Sequence, residues 1–248
     1  MSTRGIADVV FVIDASASME PCISALKANI ASFASSLEGA NAGSFDLRLE
    51  FIAVKADEHG KTYGMSTSRI NGAADVMGAI YKVGSAQGAS GLWSGPAEFR
   101  NGLDRVDVGS NEDNLLALDT ALDLPWRQAN GCHRVVVLLT DEPPETGALP
   151  AARRARVSDL IVKINDLRVK LFLVGPYSET FAELQAADGS DYLQVDDKDV
   201  GSGLASVDFR KVMGSIAKSI SVASLQSSPK AVKRALFGQD RMAFEQIP

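Results

Sequence analysis

The feature that most constrains the fold is an apolar run that stops abruptly at an acid. Residues 9–13 read Val-Val-Phe-Val-Ile, and this mainly β-branched run predicts a strand buried on both faces. Asp14 follows directly, with Ser16 and Ser18 at the second and fourth positions after it. Strands buried on both faces belong to sheets covered by helices, and such sheets bind ligands at the carboxyl ends of their strands.

A second buried strand ends in the same way. Residues 133–140 read His-Arg-Val-Val-Val-Leu-Leu-Thr, and Asp141 follows them. A lone Asp-x-Ser after a strand is typical of a turn that caps the next helix. Two buried strands that each deliver an aspartate indicate a shared cation site instead. Carboxylates with neutral hydroxyls form a hard-oxygen ligand set suited to Mg²⁺.

The rest of the chain alternates between helical and strand patterns. This order predicts an α/β fold in three layers, with a mostly parallel central sheet. Residues 56–95 are rich in glycine and predict an insertion after the second strand, with a short helix at 70–83 and an edge strand near 91–94. The other strands are predicted at 45–55, 169–175 and 192–195, and the helices at 20–37, 96–106, 112–124, 151–167, 178–187 and 208–221.

The Asp-x-Ser-x-Ser motif at residues 14–18, together with the later Thr140-Asp141 pair, resembles the von Willebrand factor A (vWA) domain and its metal-ion-dependent adhesion site (MIDAS). The resemblance spans roughly residues 7–222, less the 56–95 region. It implies a Rossmann-like αβα fold whose sheet has one antiparallel edge strand. Residues 1–224 would form the vWA domain, and residues 225–248 a C-terminal tail.

The family site takes five side chains from three loops. In the second loop, aligning the start of the next helix places Ser110 at the ligand position. Asn111 and Asp113 are alternatives there, and Ser110 also fits a helix cap. The ligand set that the resemblance implies is Asp14, Ser16, Ser18, Ser110 and Asp141.

The resemblance also implies a function. In the family, an exchangeable position on a bound Mg²⁺ takes a Glu or Asp side chain from a partner protein; Mn²⁺ or Ca²⁺ are alternative ions. The expected function is therefore a protein–protein interaction module and not an enzyme. The Leu-Leu-Thr-Asp-Glu-Pro-Pro segment is most like that of bacterial intracellular members of the tellurite-resistance type, which act in multi-protein stress or defence assemblies.

Two other functions stay open. One is a vWA scaffold that binds partners without metal. The other is a Mg²⁺-dependent, phosphatase-like enzyme with Asp14 as its nucleophile. That chemistry needs a second acid two residues on, where Ser16 stands. The sequence also has no G-x-S-x-G elbow, P-loop or kinase motif.

Net charge and the lengths of the apolar segments limit the classes of partner and the cellular location that we expect. A net charge of −6 argues against nucleic-acid binding, which usually needs a basic excess. The first apolar run is strand-like rather than a secretory signal, and no segment reaches the roughly 18 apolar residues of a membrane span. A cytoplasmic location without membrane contact is expected, with Cys22 and Cys132 as free thiols. Acidic residues of the tail, Asp240 and Glu245, suit self-association through the metal of a neighbouring copy.

Overall fold

The computed structural model describes residues 5–39, 46–56, 62–66, 95–104, 106, 108, 113–128, 131–145, 156–196 and 201–225. Its strands are β1 (Ile6–Asp14), β2 (Asp46–Ala56), β3 (Thr62–Ser66), β4 (Cys132–Leu139), β5 (Val169–Gly175) and β6 (Asp191–Gln194). Its helices are α1 (Glu20–Gly39), α2 (Pro96–Leu103), α3 (Asn114–Leu122), α4 (Val157–Leu167), α5 (Glu179–Leu184) and α6 (Phe209–Leu225), and a 3-10 turn at Ala17–Met19 precedes α1.

The strands form one sheet in the order β3-β2-β1-β4-β5-β6. The five strands from β2 to β6 along this order pair in parallel, and β3 pairs antiparallel with β2. The predicted α/β fold with a mainly parallel sheet is confirmed. The chain builds outward from β1 in one direction and then returns to add β4 on its other side. The crevice between the carboxyl ends of β1 and β4 is therefore the topological switch point, where open α/β sheets bind ligands.

Helices cover both faces of the sheet. Side chains of β1 alternate between the two cores: Phe11 packs with α1, α2 and α6, whereas Val10 and Val12 pack with α3, α4 and α5. This explains why β1 is apolar throughout its middle, because neither face meets water. No helix in the described ranges is long and apolar enough to cross a membrane. Cys22 and Cys132 are free thiols, as predicted, the first buried and the second half-buried.

The edge of the sheet differs from the prediction. β3 lies at Thr62–Ser66, inside the region that was expected to be an insertion, and pairs with residues 52–56 of β2. The strand expected near 91–94 and the helix expected at 70–83 lie outside the described residues. β3 is short and contains Gly64, so its sequence has no apolar run, and the strand is defined by its pairing with β2.

A buried ion cluster lies at the amino end of β1, opposite Asp14. The side chain of Asp8 is fully buried and accepts hydrogen bonds from the guanidinium of Arg48 at 2.8 and 2.5 Å. It also accepts from Nε of Arg127 at 2.7 Å and from the backbone N–H of Arg127 at 2.8 Å. Arg127 further donates to the carbonyls of Ala7 and Asp46. The cluster thus joins β1, β2 and the segment after α3.

We predict that Asp8→Ala lowers the free energy of unfolding by roughly 3–5 kcal/mol, because it removes the buried carboxylate that binds the largely buried guanidinium groups of Arg48 and Arg127. Arg127 retains its ion pair with the half-exposed Asp46. Urea denaturation measures the loss. The matched control is Asp104→Ala: Asp104 pairs with Lys27, but its side chain is 60% exposed, so a change within about 0.5 kcal/mol is expected. Similar losses in the two variants would contradict this account of the cluster.

Candidate functional site

The site begins where β1 ends. Oδ1 of Asp14 accepts a hydrogen bond from the backbone N–H of Ser16 at 2.7 Å, which is the turn that Asp side chains commonly make with a residue two positions on. The chain then enters the 3-10 turn at Ala17–Met19. This local geometry brings the hydroxyls of Ser16 and Ser18 to 3.0 Å from each other. Asp14 and the two serines therefore form one polar group at the end of the strand.

The end of β4 completes this group. Oγ1 of Thr140 donates to Oδ2 of Asp14 at 2.8 Å, and Oγ of Ser18 donates to Oδ1 of Asp141 at 3.2 Å. Both carboxylates are fully buried, while Ser18 is half-buried and Ala17 is exposed. The group thus lies beneath the 3-10 turn and reaches the surface there.

Four of the five predicted site residues are brought together. Asp14, Ser16, Ser18 and Asp141 belong to the hydrogen-bonded group described above. Ser110 lies outside the described residues, and so does its alternative Asn111. The other alternative, Asp113, is the N-cap of α3 and accepts from the backbone N–H of Leu116 at 3.0 Å. The ligand from the second loop remains a prediction.

Among the residues that the structure describes, the two carboxylates have no basic partner. The ion pairs in the described part of the chain involve neither Asp14 nor Asp141. Burial, together with the charge of Asp141, raises the pKa of the Asp14 carboxyl to about 6 against the opposing effect of hydrogen bonds from Ser16 and Thr140. Burial also raises the pKa of the Cys22 thiol, and both carboxylates add to that effect. The thiol therefore stays protonated, and the local charge is negative.

This arrangement differs from a carboxylate- or histidine-rich metal centre. Within the described ranges, no group of three or more His, Cys, Asp or Glu side chains is placed to hold a metal ion. The site has two acids, and its other oxygen atoms come from serine hydroxyls. Such a set suits a hard cation that keeps part of its water shell, as Mg²⁺ does.

A backbone donor that the sequence did not predict lies against Asp141. The N–H of Gly203, in the loop between β6 and α6, donates to Oδ2 of Asp141 at 2.6 Å, and the N–H of Gly201 donates to the Asp141 carbonyl at 3.1 Å. Gly203 has a φ of +67°, and a Cβ atom there would lie 2.0 Å from the carbonyl oxygen of Ser18. Only glycine fits this close approach. The available signal was the Gly-Ser-Gly sequence at 201–203.

Two further contacts hold the end of β4, and neither was predicted. Nδ2 of Asn114, at the start of α3, donates to Oγ1 of Thr140 at 3.1 Å. Four residues after Asp141, Oε1 of Glu145 accepts from Oγ of Ser178 at 2.9 Å and from the backbone N–H of Thr180 at 2.7 Å. The segment that carries Asp141 is thereby tied to the start of α5.

Neither a protein-family model nor a curated protein sequence matches this chain. Solved structures do match. Two structures of proximal thread matrix protein 1 (PTMP1) from the mussel byssus have a TM-score of 0.50. One, with a zinc-occupied MIDAS motif, has 14% sequence identity and covers 89% of this chain and 46% of that chain. The other has 17% identity and covers 89% and 47%.

A von Willebrand factor type A structure from Catenulispora acidiphila also matches, with a TM-score of 0.48, 18% identity, and coverage of 86% of this chain and 43% of that chain. The chain therefore spans less than half the length of these solved structures. At such identities the likeness concerns the fold alone, and the fold is of the von Willebrand factor A type.

We predict that Gly203→Ala destabilises the protein more than Gly189→Ala does. Both glycines have positive φ, but a Cβ atom at Gly189 meets nothing within 4 Å. The control therefore measures the backbone cost, about 1–2 kcal/mol. Gly203→Ala should cost roughly 1–3 kcal/mol more, because the backbone of Ser18 must move. Equal free energies of unfolding in the two variants would refute the close contact.

Proposed function

We propose that this site binds a divalent cation, Mg²⁺ in the first instance, and through it an acidic side chain of another protein. The observation that carries the proposal is a pair of buried carboxylates, from Asp14 and Asp141, at the switch point of the sheet. They are joined through serine hydroxyls and lack any basic partner among the described residues. A buried negative charge of this kind favours a bound cation.

The residue types explain how an acidic partner would be attracted. Asp14 and Asp141 would neutralise much of the charge of the ion, whereas Ser16 and Ser18 would bind it without neutralising it. Ser110 remains the proposed ligand from the second loop, with Mn²⁺ and Ca²⁺ as alternative ions. Because Ala17 is exposed and Ser18 is half-buried, the solvent side of the site is the place for a Glu or Asp of the partner.

The biological setting is proposed from the vWA resemblance. PTMP1, a protein with this fold, is described with zinc in its MIDAS motif, and that likeness adds Zn²⁺ to the ions worth testing. We propose a cytoplasmic bacterial protein that acts within a multi-protein stress or defence assembly. A separate proposal is self-association through the tail at 225–248.

One observation favours a second function, a vWA scaffold that works without metal. In the protein alone, Asp141 already accepts hydrogen bonds from Ser18 and Gly203, and Asp14 accepts from Ser16 and Thr140. Every carboxylate oxygen of the site thus has a donor. The phosphatase-like alternative is less well supported, because Asp14 has a serine, and not an acid, two residues further on.

We predict that saturating Mg²⁺ or Mn²⁺ raises the melting temperature of the purified protein. At a concentration about 100 times the Kd, the gain is about 2.7 kcal/mol, or roughly 5–10 °C for a chain of this size. Asp14→Ala should abolish the rise. Asp159→Ala, which removes an exposed aspartate from the first turn of α4, should keep it. A wild-type protein that does not respond to any divalent cation would favour the scaffold.

We predict that capture of a binding partner depends on the same ion. A pull-down with wild-type protein in Mg²⁺ should recover a partner that is lost in EDTA and with Asp141→Ala, because both remove the link between the two proteins. A partner retained under all three conditions contradicts metal-mediated binding. Hydrolysis of a generic phosphomonoester that disappears in Asp14→Asn would support the enzyme instead.

A further inference from the structure

Asn114 is a buried polar residue that the proposed ligand set does not include. It is the first residue of α3 and only 3% exposed. Its Nδ2 donates to Oγ1 of Thr140 at 3.1 Å, whereas its Oδ1 is buried and has no hydrogen-bond partner among the described residues. Leaving a buried amide oxygen without a partner costs about 1–3 kcal/mol. Such an atom in a folded protein calls for a bound water or ion.

Asn114 is the one polar side chain among the buried residues of α3. The other buried residues of α3 are apolar: Leu115, Ala117, Leu118, Ala121 and Leu122. Asn114 does not cap the helix either, because Asp113 already holds that role through its bond to the N–H of Leu116. An apolar side chain would fill this position without an unpaired oxygen. The amide must therefore be explained by its contact with Thr140.

The hydroxyl of Thr140 has a defined direction. Its Oγ1 lies within hydrogen-bond distance of two N–H donors, Nδ2 of Asn114 at 3.1 Å and the backbone N–H of Glu142 at 3.2 Å. Its single proton can go to Oδ2 of Asp14 at 2.8 Å or to the carbonyl of Glu142 at 3.1 Å. The carboxylate is nearer and charged, so it takes the stronger bond. Asn114 thus acts on Asp14 through one intervening hydroxyl.

We propose that Asn114 is a positioning residue of the cation site, an inference that rests on the proposed function. Its Nδ2 holds the Thr140 hydroxyl so that the proton points to Oδ2 of Asp14. This fixes the orientation of the Asp14 carboxylate. Its Oδ1 supplies the acceptor for a water molecule held in the loaded site. Mutation of a residue that orients a metal ligand in this way typically weakens metal affinity by roughly 10–100-fold.

The test is Asn114→Leu, measured by two separate readouts. Isothermal titration calorimetry with Mn²⁺ should give a Kd about 10–100 times larger for the variant than for the wild type. The melting temperature without metal should be unchanged or higher, because the variant removes the unpaired oxygen. A merely structural role predicts the reverse, a lower melting temperature and an unchanged Kd. The matched control is Asn29→Leu, which removes an amide that donates to the Ala25 carbonyl within α1 and should not change the Kd.

A double-mutant cycle that combines Asn114→Leu with Thr140→Val tests whether Asn114 acts on Asp14 through the Thr140 hydroxyl. Because Nδ2 of Asn114 acts through the Thr140 hydroxyl, the combined loss of affinity should be smaller than the sum of the two single losses. Fully additive losses would overturn the role assigned to Thr140. If Asn114→Leu does not fold, Asn114→Ser decides by the same criteria.

The outcomes separate this inference from the function on which it rests. A wild-type protein that does not bind Mn²⁺ or Mg²⁺ overturns both. A wild-type protein that binds the ion, with an Asn114 variant of equal affinity, overturns only the role of Asn114. Weaker binding in the Asn114 variant, with wild-type affinity in Asn29→Leu, supports the inference.

Discussion

The structure depends on β1 and on the way its two aspartates are satisfied. Asp8 and Asp14 are both buried on the same strand, and a buried carboxylate is tolerated only when its charge or its hydrogen bonds are met. Two arginines meet the charge of Asp8. Within the described ranges, Asp14 has hydroxyl and backbone donors but no basic side chain. The charge at the amino end of β1 is therefore neutralised. The carboxyl end remains negative and is suited to a ligand of opposite charge.

The sequence predicted the buried strands best, because burial on both faces favours a run of apolar residues. β5 was expected at 169–175 and lies there, and β4 differs from its expected range by one residue at each end. β3 was missed because Thr62–Ser66 has no apolar run, and its pairing with β2 is not visible in the sequence. Glu50, a charged residue in the middle of β2, is fully buried. The alternation of apolar and polar residues in β2 does not predict this burial.

The site was predictable where strand ends determine it. Asp14, Ser16, Ser18 and Asp141 meet because parallel neighbours β1 and β4 end at the same edge of the sheet. The contact of Gly203 was not predictable. Its backbone N–H donates to Asp141 from a loop that lies 62 residues after Asp141 in the chain. Asn114 resembles any polar residue near a helix start, and only its contact with Thr140 distinguishes it.

The segment from Asn114 to Arg127, which contains α3, is linked to both aspartates of β1. Asn114 at the start of α3 reaches Asp14 through Thr140, and Arg127, shortly after the end of α3, binds Asp8 directly. The path between these anchors therefore runs along β1 from Asp14 back to Asp8. Adding or deleting one residue within α3 would rotate one end by about 100° and shift it by about 1.5 Å relative to the other. Related chains should thus conserve this spacing even where the residues between the anchors differ.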